Sequence, residues 1–146
     1  MRAKTRIWSW TIVATAVVIS GVARGGHADE NATLVRRIKA VGAEGAGNAA
    51  ASQASRELAK RGPEAIVPLL EAMDDADAVA VNWLRAAVDA IAERTVATGK
   101  PLPKSELESF VLDVRHAGKT RRLAFEWLAK VDETAPDRLI PGMLND

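Results

Sequence analysis

Apolar residues fall into two regimes along this chain. From Ile7 to Val22 (IWSWTIVATAVVISGV) they form an uncharged, nearly continuous run of 16 residues. Beyond about residue 31 they recur instead at helical spacing, in amphipathic segments separated by turn residues, and no stretch alternates at period two over a useful length. The expectation is an all-helical chain with no strand.

Leu34, Val35, Ile38 and Val41 give a first stripe, broken by Gly42, Gly45 and Gly47. Ala51, Ala54 and Leu58 mark a second, Ala-rich helix that stops at Arg61-Gly62, and Pro63 sits where the first turn of a new helix tolerates it. Ile66, Leu69, Leu70 and Met73 fall at i, i+3, i+4 and i+7, ahead of an acidic turn with Asp74, Asp75 and Asp77. In the next helix, about 77–97, Ala80, Val81, Trp83, Leu84, Ala87, Val88, Ala90 and Ile91 cover roughly half of a helical wheel, a width that suits packing against several neighbours. After a loop at 99–103, Ser105 and Glu108 have the spacing of a capping box that opens a helix with Leu107, Phe110, Val111 and Val114. Gly118 breaks the chain. Thr120 is placed to cap a helix with Leu123, Ala124, Trp127, Leu128 and Val131, and Thr134-Ala135-Pro136 starts a last one with Leu139, Ile140, Met143 and Leu144.

The first 28 residues have the layout of a secretory signal peptide. A basic start (Arg2, Lys4, Arg6) precedes the apolar run, and Gly26-His27-Ala28 offers small residues at −3 and −1 of a cut before Asp29. The alternative is an uncleaved membrane anchor, but the run is short for a span of ~20 residues and carries Ser9, Thr11, Thr15 and Ser20. There is no Cys, which rules out a lipid-anchored cysteine, disulfides, thiolate metal sites and thioether-linked haem. An exported chain without cysteine points to a bacterium, with the periplasm or the outside of the cell as destination.

Charge changes the picture once the two regions are separated. The net charge of +1 includes four cations in residues 1–28 and no acid; the remainder holds 16 basic and 19 acidic side chains, net −3. That balance argues against a nucleic-acid binder. With 48% hydrophobic residues and few aromatics, the core must be packed by Ala, Leu and Val.

Val79-Ala-Val-Asn-Trp-Leu84 is echoed by Leu123-Ala-Phe-Glu-Trp-Leu128, 44 residues later, and Ile66-Val67-Pro68 by Leu139-Ile140-Pro141, 73 residues later. The first spacing lies within the period of about 40–47 residues of HEAT and armadillo arrays. Through Gly62-Pro63-Glu64-Ala65-Ile66-Val67-Pro68-Leu69-Leu70, the following Met73-Asp74-Asp75 and the long Ala-rich helix, the chain resembles the HEAT-repeat family. The Gly-rich turn at 42–48 and the long linker at 98–104 depart from that pattern. The resemblance implies a short α-solenoid of HEAT-like helical hairpins, preceded by the signal peptide at 1–28. The repeat domain is then 29–146, with hairpins at about 31–61, 63–97 and 104–132 and an unpaired helix at 135–145. By analogy with such arrays it implies recognition rather than chemistry.

The side chains offer no catalytic or metal-binding constellation either. His116 is the one histidine of 29–146, and Asp113 one turn before it supplies neither a nucleophile nor enough ligands for a metal. Asp75-x-Asp77 has calcium-loop spacing but lacks the other ligands, so a solvated turn with a helix cap is the better reading. No cofactor is expected. Trp83 and Trp127, at equivalent positions, are expected to pack between hairpins. Arg115, His116, Lys119, Arg121 and Arg122, with no acid among them, are the candidate electrostatic contact, and Arg36, Arg37 and Lys39 a weaker one. Ile140, Met143 and Leu144, with no downstream partner helix, are the candidate edge for self-association, for another protein or for continuation of a longer array. The leading expectation is an exported scaffold or adaptor that binds a protein, not an enzyme. The alternative is a binder of an anionic envelope ligand through Arg115–Arg122. If the signal is processed as read, N-terminal sequencing of the chain recovered from the cell envelope begins Asp-Glu-Asn; a mass matching all 146 residues sinks the cut.

Overall fold

The computed structural model describes the backbone of residues 23–42 and 45–143, with side chains from 27 to 142 outside the 43–44 gap. Among these residues there are seven α-helices and no strand: α1 Ala23–Lys39, α2 Asn48–Leu58, α3 Ile66–Met73, α4 Ala78–Ala97, α5 Lys104–Leu112, α6 Gly118–Val131 and α7 Ala135–Met143. The basic start and the apolar run of the candidate signal lie outside the described residues. Helix α1 begins at Ala23, so the proposed cut before Asp29 falls within it. No described helix is long and apolar enough to cross a membrane.

Most of these helices span only 8–14 residues. Isolated helices shorter than ~12–15 residues are marginal in water, so packing must hold them. They pack as consecutive pairs, α1 on α2, α3 on α4 and α5 on α6. Successive pairs then touch through α2 with α4, α3 with α5 and α3 with α6, while α7 rests on α5 and α6. One continuous core results, with Ile38, Leu58, Ile66, Leu70, Leu84, Ile91, Leu107 and Leu128 out of solvent.

Helix α4, at 20 residues, is the central post, in contact with α1, α2 and α3. Ala80, Leu84, Ala87, Val88, Ile91, Ala92 and Thr95 are buried; of the stripe that the wheel predicts, Val81, Trp83 and Ala90 are only half-buried, and Ala92 and Thr95 take their place in the core. Both of its ends are closed locally. The Asp77 side chain accepts from the Ala80 N–H (2.8 Å). At the other end Gly99, at φ +69°, turns the chain left-handed, so that its N–H reaches Val96 O (2.9 Å) and the Lys100 N–H reaches Thr95 O (3.0 Å).

The two tryptophans pack as expected, each tying its helix back to the second helix of the preceding pair. Trp83 of α4 donates to Asn48 of α2 (3.4 Å), and Trp127 of α6 to Asp89 of α4 (2.8 Å). The Ile66-Val67-Pro68 echo also has a structural counterpart. Ile66 and Leu139 are buried, while Pro68, Ile140 and Pro141 are exposed.

Several expected helix ends form differently. The capping box at Ser105 does not form: α5 starts after Pro103 with no side-chain cap, and Glu108 instead pairs with Arg138 of α7. Thr120 lies inside the first turn of α6, whose N-cap position is Ala117. Gly62 is extended, at φ −78° and ψ 174°, and Pro63–Ala65 makes a 3-10 turn leading into α3. Gly47, before α2, does need its glycine, because its φ is +83°.

The buried stripe of α4 gives a direct expectation. Leu84→Ala costs about 2–5 kcal/mol of stability, whereas Arg85→Ala, on the exposed side, costs less than about 1 kcal/mol. Urea unfolding of the two variants checks this, and equal losses contradict the packing described.

Candidate functional site

Helix α1 leans on α2 and α4, and space remains between it and α3. The space is a groove of about 970 Å³. Ala28, Ala32 and Val35 come from α1, and Ala65, Pro68, Leu69 and Ala72 from the α3 side; His27, Lys60 and Glu64 stand at its rim. The small side chains follow from the Ala-rich sequence and keep the walls low. Arg61 pairs with Glu30 across one end (2.7 Å), holding the Glu30 carboxyl below its usual range. Asn31 Oδ1 and Arg61 Nε, both on groove-lining residues, are out of solvent and have no hydrogen-bond partner.

Beside it, across α3, is a smaller hollow lined by Val67, Glu71, Glu106, Phe110, Asp113 and His116. Glu71 lines both hollows.

His116 sits in the turn between α5 and α6 and joins two helix pairs. Asp74, just after α3, reaches across to it. The carboxylate can only accept, so His116 Nδ1 donates to Asp74 Oδ2 (2.6 Å). Asp74 Oδ1 accepts from the Ala117 N–H (3.0 Å) and lies 2.6 Å from the Thr120 hydroxyl, which is fully buried. Asp74 therefore supplies the N-terminal cap that α6 lacks locally. Burial alone pushes the Asp74 carboxyl up, but the hydrogen bonds from Thr120, His116 and Ala117 outweigh it and hold the group below its ordinary value. The imidazole stacks on Phe110, with centroids 3.9 Å apart and planes 13° apart. Its Nε2 lies 3.8 Å from Asp113 Oδ2.

The Asp113–His116 pair is therefore not on one helix, because α5 ends at Leu112 and Asp113 is extended. Only a fifth of the His116 side chain is exposed. Asp74, the residue that organises this joint, is not singled out by the sequence reading. Of its neighbours in the acidic turn, Asp75 pairs with Lys39 and Asp77 caps α4.

The five residues of the basic cluster do not form one exposed patch. Arg121 is 6% exposed and donates to Val111 O at the end of α5 (2.7 Å). Arg115 is held by Asp113 (2.6 Å) and Arg122 by Glu126 (3.1 Å). Helical spacing turns Arg121 inward and Lys119 and Arg122 outward. Lys119 is exposed. In the weaker cluster, Arg36 bonds Thr33 and Lys39 pairs with Asp75. At the C-terminal edge the apolar stripe divides. Leu139 is buried, whereas Ile140 is 41% exposed; the Met143 side chain and Leu144 lie outside the described residues.

No family model, no curated protein and no solved structure matches this chain.

The Asp74 joint has a pH signature. A carboxyl whose folded-state pKa is lowered adds stability above its ordinary value of 3.8, and that stability is lost as the pH falls below it. Asp74→Ala is expected to lower stability by about 1–3 kcal/mol at pH 7, with the gap to the unmodified chain narrowing as the pH drops below about 4. Urea unfolding at pH 7 and in acid checks both; a gap that stays constant with pH contradicts the assignment.

Proposed function

We propose that this chain is an exported, non-catalytic helical-repeat adaptor, built as a short solenoid of HEAT-like hairpins, that binds a protein partner. The observation that carries the reading is the groove between α1 and α3. It has an apolar floor of low side chains, charged residues at its rim and two unpaired buried polar atoms in its walls. Such a concave, mainly apolar surface with few polar groups suits binding.

The regular succession of helix pairs supports the solenoid reading, with α3, α5 and α7 in contact one after another. The n-region and apolar run before Asp29 support export. The non-catalytic reading draws on how the titratable cluster is used. Asp74 is occupied by a backbone N–H, a hydroxyl and His116, and Thr120 Oγ1 is bonded to Asp74 rather than to the imidazole. These groups hold two helix pairs together.

The test is affinity capture from an envelope extract of the source cell, with the chain tagged at its C terminus as bait and an Ala32→Phe variant run beside it. The side chain of Ala32 borders the groove, and a phenyl ring there projects into it. Retention of one or a few proteins by the bait, lost with Ala32→Phe, supports the reading. An empty column, or retention that the variant leaves unchanged, overturns the groove as the adaptor site.

A further inference from the structure

We infer that the face made by α1, α3 and α5 takes a basic amphipathic helix of its partner. The helix lays its apolar side in the α1–α3 groove and places Lys or Arg side chains on Glu64, Glu71 and Glu106. The inference rests on the adaptor reading and names the chemistry of the partner.

A helix is favoured by the backbone of the walls. Groove residues from α1 and α3 lie in helices, so no strand edge is presented. An extended peptide would bring its own main-chain groups onto an apolar floor with nothing to pair them, at a cost in desolvation. A helix satisfies its own backbone and presents only side chains. The size agrees: Ala65 to Ala72 along the α3 wall is about 10 Å, two turns, at ~1.5 Å per residue, and a cut before Asp29 leaves this wall intact.

Charge selects the sign. Glu64 and Glu71 are exposed along the groove wall, and Glu106 is exposed at the adjoining hollow. None of the three has a cation within ion-pair distance among the described residues. The Lys and Arg residues that line the groove are engaged elsewhere, Lys60 with Glu57 (2.9 Å) and Arg61 with Glu30 (2.7 Å), while Lys104 stands exposed two residues before Glu106. Glu64 and Glu71 therefore carry the uncompensated negative charge beside the apolar floor. Glu64, in the 3-10 turn, and Glu71, in α3, stand seven residues apart on the same wall, so a helix laid along the groove meets them with cations about two turns apart.

The experiment uses two synthetic 18-residue helices that share a Leu/Ala face, one with Lys at i and i+7 along its edge and one with Glu there. Each is labelled and titrated against the full chain by fluorescence anisotropy, at low and at physiological salt. The Lys peptide is expected to bind more tightly than its Glu twin, with the gap closing as salt rises. The double reversal Glu64→Lys/Glu71→Lys is expected to weaken the Lys peptide about tenfold and to favour the Glu peptide instead. Ala32→Phe should weaken both, and circular dichroism confirms that the variants keep their helix content. Equal binding of the two peptides, no binding of the Lys peptide, or indifference to the double reversal overturns the inference. The adaptor reading fails separately, on the capture experiment. A captured protein lost with Ala32→Phe but held equally by the double-reversal bait keeps the adaptor and removes the basic helix.

Discussion

The structure depends on how helix ends are satisfied. Short helices have proportionally many orphan N–H and C=O groups, and here few have local caps. Gly47, Ala65, Pro103 and Ala117 occupy N-cap positions without a side-chain bond. Long-range side chains close several of these ends. Arg94 of α4 donates to Ala59 O and Arg61 O just beyond α2, Arg121 of α6 to Val111 O in α5, and Asp74 accepts from the Ala117 N–H at the start of α6. Three of these four bonds run between helix pairs, so the polar closure of the backbone and the packing of the apolar faces specify the same arrangement.

That arrangement also shapes the binding face. Arg94 fixes the chain beyond α2 onto α4, and α1 packs on α2 and α4, with space left between α1 and α3. The Ala-rich composition then leaves the space between them with low walls. On the other side of α3, Asp74 and His116 draw the α5–α6 turn inward, and the second hollow lies beside that contact. The two hollows share Glu71 because α3 is the ridge between them.

The helical character and the buried stripes were legible in the sequence, since they depend on spacing within one helix. Ile66, Leu69, Leu70 and Met73 are all buried, as their i, i+3, i+4, i+7 pattern requires. The site was far less legible. Asp74, Asp75 and Asp77 look alike in a row of residues, yet one bridges two pairs, one pairs with Lys39 and one caps its own helix. Their roles depend on partners 36 to 46 positions away or on a local turn, and no periodicity records the difference. Arg121 and Arg122 show the same problem. Adjacent cations read as one patch until the 100° step between them sends the first into the core and the second to solvent.

Helix α4 is the exception to dependence on neighbours, with Asp77 closing one end and Gly99 the other over 20 residues. Its formation does not wait for another part of the chain to arrive. In the unfolded ensemble it is the segment best able to persist as transient helix, and its wide apolar stripe then offers a template on which α2 and α3 condense from either side. Assembly of this molecule would accordingly begin at its middle and spread towards both termini, instead of proceeding pair by pair from one end.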